Sequence, residues 1–376
     1  MPTLYATALS PRLARDGGRT LALGNVCTSR LLRPSIQDGP SEAAFCRHSL
    51  ADAHDALEDA DDAVACSTPM TTRRPGWLLA LPLIACTHAV DVAPGAAPPL
   101  VEIVARGLRF EAPNRIAPGW TTLRLRNASG MVHFAIVERL PEGRRIADHQ
   151  AEVAPVFQRG MDLLIAGDAP AALEAFGELP AWFGEIVFLG GPGLVAAGAG
   201  TDVTVNLTPG TYLLECYVKT GGLFHSFNPT PGAFGMVHEL VVGGSPNGAA
   251  EPRADFTVTV SREKGIEMHG EPGPGPRTVA VRFEDQGLHE NFVGHDVHLA
   301  RLADDTDLDA LATWMDWMEP PGLQTPAPVA FVGGVNEMPA GERAYLHVTL
   351  EPGRYAWIAE VTDPQRKGML KTFVVR

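Results

Sequence analysis

The chain has 376 residues, long enough for two or three domains, two being the better starting count, and its composition, 45% hydrophobic and 20% charged, excludes wholesale disorder. A net charge of −14, from 44 acids against 30 bases, repels phosphate backbones and argues against a nucleic-acid partner. The 39 glycines and 32 prolines interrupt the chain too often for a helical bundle and suit short strands joined by turns.

Residues 1–69 hold no sustained helical or strand period and no lysine, and read as a disordered or spurious extension upstream of a start at Met70. Read as a genuine leader, they would carry one short helix around Ser49–Val64. After Met70 come Arg73 and Arg74, then an apolar run from Trp77 to Ala85. That run is too short for a membrane helix of about 20 residues, but it has the charged, apolar and small-residue order of a secretory signal. Leu83-Ile84-Ala85-Cys86 resembles the lipobox of bacterial lipoproteins. The resemblance implies a signal peptide over 70–85, lipidation of Cys86, and a Pro/Ala/Gly-rich tether over 86–99. It also implies a periplasmic or extracytoplasmic location in the cell envelope, with the membrane contacted by the lipid anchor alone. Of the five cysteines, Cys27, Cys46, Cys66, Cys86 and Cys216, only Cys216 is then left as a thiol, in a compartment where paired thiols oxidise. An unpaired exported cysteine calls for a function.

The remaining chain repeats itself. Val187-Phe188-Leu189-Gly190-Gly191 returns as Ala330-Phe331-Val332-Gly333-Gly334, and Ala197-Gly198 returns as Ala340-Gly341. Leu207-Thr208-Pro209-Gly210-Thr211-Tyr212 returns as Leu350-Glu351-Pro352-Gly353-Arg354-Tyr355. All three matches share one ungapped offset of 143 residues, which marks an internal duplication. Alternation such as Thr201–Leu207 and Ala344–Leu350 predicts half-buried strands. Earlier strands are expected at Val101–Val104 and Thr122–Leu125, with counterparts at Phe256–Val260 and Val279–Val281. Seven or eight short strands per copy with Pro/Gly corners predict an all-β pair of tandem Greek-key sandwiches, over 100–243 and 255–376, joined by a linker at 244–254. Apolar spacing over Arg145–Phe183 predicts a two-helix insertion in the first copy, with a shorter equivalent at Asp307–Met318.

The first copy also carries His133 between two strands, Cys216 at a strand end, His225 after eight intervening residues, and Met236 after ten more. Two imidazoles, a thiolate and a weak axial thioether are the donor set of a mononuclear type 1 copper site, in which soft sulfur suits Cu(I) and imidazole suits both oxidation states. Singly, each of these residues is ordinary packing; their conjunction is what points to a metal. Here 100–376 resembles a tandem pair of the cupredoxin superfamily, through Asn127-Ala128-Ser129-Gly130-Met131-Val132-His133, the cysteine after Pro209-Gly210-Thr211-Tyr212, and Gly235-Met236. The resemblance implies one copper in the first copy held by His133, Cys216, His225 and Met236, single-electron transfer to an unidentified redox partner protein, and a structural second copy. Storage or delivery of copper, or a metal-free binding module, are the alternatives. Two features depart from the family: the ten-residue interval before Met236, and Glu215 and Tyr217 flanking Cys216 where multicopper oxidases and nitrite reductases use histidine. An electron carrier is therefore expected rather than an enzyme. The second copy keeps His295 and Met369 but has Ala359 at the cysteine position and lacks the loop that bears His225. His289, Glu290, His295 and His298 read as scattered surface residues, Asp202, Asp296, Asp304, Asp305, Asp307 and Asp309 as solvated acids, and His238 as an entrance residue beside Met236.

Overall fold

The structure, a computed structural model, describes residues 95–376. The signal-like segment 70–85, Cys86 and the Ser49–Val64 helix lie outside the described residues. Among those described, no helix is long and apolar enough to cross a membrane.

In the first repeat the elements are β1 (Leu100–Ala105), β2 (Phe110–Glu111), β3 (Arg115–Ile116), β4 (Gly119–Asn127), β5 (Ile136–Arg139), α1 (Ile146–Glu152), α2 (Ala154–Ile165), α3 (Ala169–Phe176), β6 (Val187–Phe188), β7 (Gly200–Leu207), β8 (Gly210–Glu215), β9 (Lys219–Thr220), β10 (Leu223–Phe224) and β11 (Val237–Val242). The second repeat follows with β12 (Phe256–Ser261), β13 (Gly265–His269), β14 (Gly275–Phe283), β15 (Val297–Leu302), α4 (Leu308–Trp314), β16 (Ala330–Val335), β17 (Arg343–Leu350), β18 (Gly353–Ile358) and β19 (Leu370–Val375). The architecture is all-β sandwich, as the alternating strands predict. In β4, Thr121, Leu123, Leu125 and Asn127 point inward while Arg124 and Arg126 face solvent, the two-residue period of a one-sided sheet.

One difference from expectation is that the two repeats share a layer. The order β13-β12-β14-β17-β7-β4-β1-β2 forms one eight-stranded sheet across both, faced by β3-β11-β8-β5-β6 in the first repeat and β16-β15-β18-β19 in the second. The joint is the antiparallel pair β7–β17, where Val203 sits opposite Leu346, positions 143 apart. Pro192 bridges Val335 and Tyr217 bonds Glu360 at the same interval, so equivalent residues meet on a pseudo-two-fold axis. A polar ladder crosses the joint: Thr204 Oγ1 bonds Thr122 Oγ1 and His347 Nε2, each at 2.7 Å, and His347 Nδ1 bonds Thr278 at 3.1 Å. The segment 244–254 is likewise pinned to both repeats, with Asn247 donating to the Trp120 carbonyl at 3.0 Å and Glu251 accepting from Arg343 at 2.9 Å.

The repeated motifs have mechanical causes. In each Pro-Gly-x-Tyr turn the tyrosine hydroxyl donates to the carbonyl four residues back, Tyr212 to Thr208 at 2.7 Å and Tyr355 to Glu351 at 3.0 Å, a tie that fixes the strand corner. Gly191 and Gly334 take φ of +98° and +148°, and a Cβ there would lie 2.3 Å from the Ala135 carbonyl oxygen and 2.5 Å from that of Val297. The insertion forms three helices rather than two. Pro155 and Pro170, each within the first two positions of a helix, lack the N–H that would continue the preceding one. The outer face of β8 thereby gains a cover, with Leu213 packed among Leu140, Val153, Trp182 and Ile186.

Gly334→Ala is expected to cost about 2–4 kcal/mol through the backbone clash and disfavoured φ. Gly341→Ala, where φ is +82° but nothing lies within 4 Å, should lose only about 1–2 kcal/mol. Urea unfolding of the two variants checks the contrast.

Candidate metal centre

His133 lies in the β4–β5 loop, and its backbone exchanges hydrogen bonds with Val195. The buried side chain of Asn127 holds that loop by donating to the Met131 carbonyl at 2.7 Å and the Ala196 carbonyl at 3.1 Å, while accepting from Ser129. Cys216 follows β8, and its N–H donates to the Met236 carbonyl at 3.2 Å; Met236 N–H in turn donates to the His225 carbonyl at 2.6 Å. The ten residues between His225 and Met236 therefore loop out and return, with Pro229–Phe234 exposed. Gly235 permits the return, since a Cβ there would fall 2.1 Å from the backbone of Ser226. Gln150 of α1 ties the two limbs together, donating to the Ser226 carbonyl at 3.0 Å and accepting from Gly235 N–H at 2.8 Å.

These constraints converge three donors in the interior. His133 Nδ1 is 3.4 Å and His225 Nδ1 3.9 Å from Cys216 Sγ, and the three atoms lie within 4.8 Å of one another. Bonds of about 2.0–2.3 Å to a shared ion set ligand atoms roughly 3–4 Å apart, so the trio fits a metal. All three residues are at most 2% exposed. Thr220 Oγ1 meets His225 Nε2 at 2.9 Å and so holds the ring with its Nδ1 toward Cys216. His133 Nε2 is buried without a partner. The Met236 side chain is wholly buried, and its backbone is bonded to both Cys216 and His225.

Burial sets the charge state. It pushes the Cys216 thiol up to about 12, against the pull of backbone N–H groups of Phe134 and Val218. It lowers His133 to about 4 and His225, which also faces His133, to about 3. At neutral pH the donors are two neutral imidazoles and a thiol, a low-charge pocket in which a cation replaces the thiol proton. Imidazole with thiolate is a donor set that copper and zinc accept.

The second repeat has the same backbone without the chemistry. Ile136 pairs with Glu215, and His298 pairs with Ile358, the counterpart of Glu215; this register sets His295 on His133. Ala359 N–H donates to the Met369 carbonyl at 3.0 Å, as Cys216 does to Met236, but no sulfur stands between. His289, His295 and His298 are buried rather than at the surface. His295 bonds His289 at 2.9 Å and Asp285 at 2.7 Å, and His298 bonds Asp296 at 2.7 Å and accepts from Leu194 N–H at 3.1 Å. Asp296 is 2% exposed, which corrects its reading as a solvated acid. Asp202 pairs with Arg124 at 2.6 Å, and Asp307 caps α4. His238 turns to the Pro113 carbonyl at 3.3 Å. Sequence reasoning missed Gln150, which no local pattern ties to the metal loop, and Asn127 as the clamp of the His133 loop.

No family model matches the chain, and no curated protein does. Among solved structures, auracyanin A, a blue copper protein of Chloroflexus aurantiacus, is 27% identical, covering 39% of this chain and all of its own, with a TM-score of 0.24. Rusticyanin from Thiobacillus ferrooxidans is 14% identical over 32% of this chain and 75% of its own, TM-score 0.21. A multicopper oxidase is 13% identical over 75% of this chain and 92% of its own, TM-score 0.18.

Because the thiol titrates far above neutrality and both imidazoles far below it, binding of Cu(II) between pH 7 and 9 should release one proton per ion. Affinity should accordingly rise about tenfold per pH unit. A pH-indicator titration measures this, and Cys216→Ser should release none.

Proposed function

We propose that the chain is a copper protein that carries single electrons through one type 1 centre in the first repeat, held by His133, Cys216 and His225 with Met236 as a weak fourth ligand. The observation that carries this reading is the meeting of two imidazole Nδ1 atoms and one thiol within 4.8 Å in a buried pocket. Copper bound there would supply one-electron redox chemistry. The chain's part is to hold the donors fixed between oxidation states. The backbone stitch through Met236 and the Asn127 and Gln150 clamps resist movement of the ligand loops, which keeps reorganisation small. Thr220 orients His225 and bonds Thr325 Oγ1 of the second repeat at 2.9 Å, so the second repeat braces the site that it does not itself possess. The signal-like 70–85 segment and the Cys86 lipobox support export and lipid anchoring in the cell envelope, where a soluble partner protein would exchange the electron.

Full-length protein reconstituted with Cu(II) should show an intense visible thiolate-to-copper band and one reversible one-electron wave. Cys216→Ala should abolish both. A band that survives this substitution overturns the ligand assignment, and copper uptake without the band favours storage or delivery. Mass spectrometry of the membrane-extracted protein should find the mature chain starting at a lipid-modified Cys86.

A further inference from the structure

On β8, Glu215 precedes Cys216, and side chains of successive strand residues point to opposite faces. Glu215 thus turns away from the Cys216 pocket, toward the helices that cover the sheet. There it meets Glu138 of β5 and His149 of α1. One carboxylate oxygen from each glutamate and one imidazole nitrogen lie within 4.8 Å of one another, with His149 Nε2 3.3 Å from Glu215 Oε2. All three are buried, at 2%, 2% and 7% exposure for Glu138, His149 and Glu215. They border a cavity of about 80 Å³ whose other walls include Phe157, Phe183, Phe224 and Trp317. Among the described residues no lysine or arginine pairs with Glu138 or Glu215; Lys219 is committed to the carbonyls of Trp317 and Glu319.

We propose that Glu138, Glu215 and His149 form a second metal site, for a borderline divalent cation such as Zn²⁺, separate from the centre at Cys216. Two carboxylate oxygens and one imidazole nitrogen are donors that such an ion accepts, and three protein ligands leave a position for water. The cavity has room for one, since a water occupies about 30 Å³ of liquid. The ion supplies a positive charge to two buried carboxyls that the aromatic walls cannot neutralise.

The internal duplication supplies a control. The strand register that matches Ile136 to His298 places Ala300 at the position of Glu138 and Ile358 at that of Glu215, both wholly buried. The fold thus accepts apolar side chains at both positions, and carboxylates stand only in the repeat that carries Cys216. A second buried trio, Asp296, His298 and Glu360, makes a useful contrast. There His298 Nδ1 accepts from Leu194 N–H and Nε2 bonds Asp296, while the other Asp296 oxygen accepts from Glu360 N–H at 2.7 Å. Both imidazole nitrogens of His298 are committed, which leaves that ring no lone pair for an ion. His149 Nε2 meets the carboxyls of Glu215 and Glu138, and the Gln150 amide lies at a long 3.4 Å from its Nδ1.

The test uses the full-length chain with Cys216→Ala, which removes the thiolate site, stripped with chelator and titrated calorimetrically with Zn²⁺. One equivalent should bind, and adding either Glu138→Gln or His149→Gln should weaken binding about 100-fold or more, beyond what loss of an outer-shell partner costs. Zinc-edge X-ray absorption of the Cys216→Ala protein needs no further substitution, and should show an oxygen-rich shell with one imidazole. Absence of uptake, binding unaffected by both substitutions, or a shell with two or more imidazoles each overturns the proposal. The visible band of the copper-loaded unsubstituted protein tests the centre at Cys216 independently.

Discussion

The structure turns on the antiparallel joint between β7 and β17, where Val203 and Leu346 face one another across a pseudo-two-fold axis. Two sandwiches on a flexible tether would move independently; fused through one sheet, they form a single body whose second half can brace the first. The bracing is concrete. Lys219 is wholly buried, its backbone exchanges hydrogen bonds with Leu323 and Thr325, and its ammonium donates to the Trp317 carbonyl at 2.7 Å and the Glu319 carbonyl at 3.1 Å. Burial lowers this amine to about 8, a cost that the two carbonyls offset in part. Lys219 lies between Cys216 and His225, so the ligand loop is gripped at its middle by residues 317–325.

Much of this was legible in the sequence because it depends on local backbone demands that a duplication preserves. The 143-residue offset survives at Gly190-Gly191 and Gly333-Gly334 because Gly191 and Gly334 pass against equivalent carbonyls, Ala135 and Val297. It survives at the Pro-Gly-x-Tyr turns because each tyrosine closes its own corner. His133, Cys216 and His225 stood out because their residue types are rarely neutral in combination, and the structure brings those three together. Met236 was the harder case: a ten-residue interval says nothing of where the loop goes, and only the hydrogen bond from Met236 N–H to His225 shows its return.

What could not be read depends on contacts across long separations. Glu138, His149 and Glu215 look like scattered polar residues, one on a helix and two on strands, until the fold stacks α1 over β5 and β8. The same applies to His289, His295 and His298, which read as surface residues but make buried pairs with each other or with Asp285 and Asp296. The fused sheet was hidden as well: β7 and β17 have the alternation of any half-buried strand, and nothing in either marks it as an interface. Thr204, on the face of β7 that alternation assigns to solvent, is buried, where it meets Thr122 of its own repeat and His347 arriving from the other.

The two repeats also separate scaffold from chemistry. At Ala359 and Met369 the second repeat reproduces the backbone bond that holds Cys216 to Met236, so this bond belongs to the sandwich and not to metal binding. What distinguishes the first repeat is a longer path, 24 positions from Tyr212 to Met236 against 14 from Tyr355 to Met369, which creates the loop for His225. Restoring a cysteine at Ala359 alone would supply sulfur but no second imidazole. It would also leave His295 bonded to Asp285 and His289, with no lone pair free to turn inward. The first repeat's specialisation therefore consists of one loop, one thiol and an imidazole left without competing partners. Metal affinity at the Cys216 centre must follow from those three together.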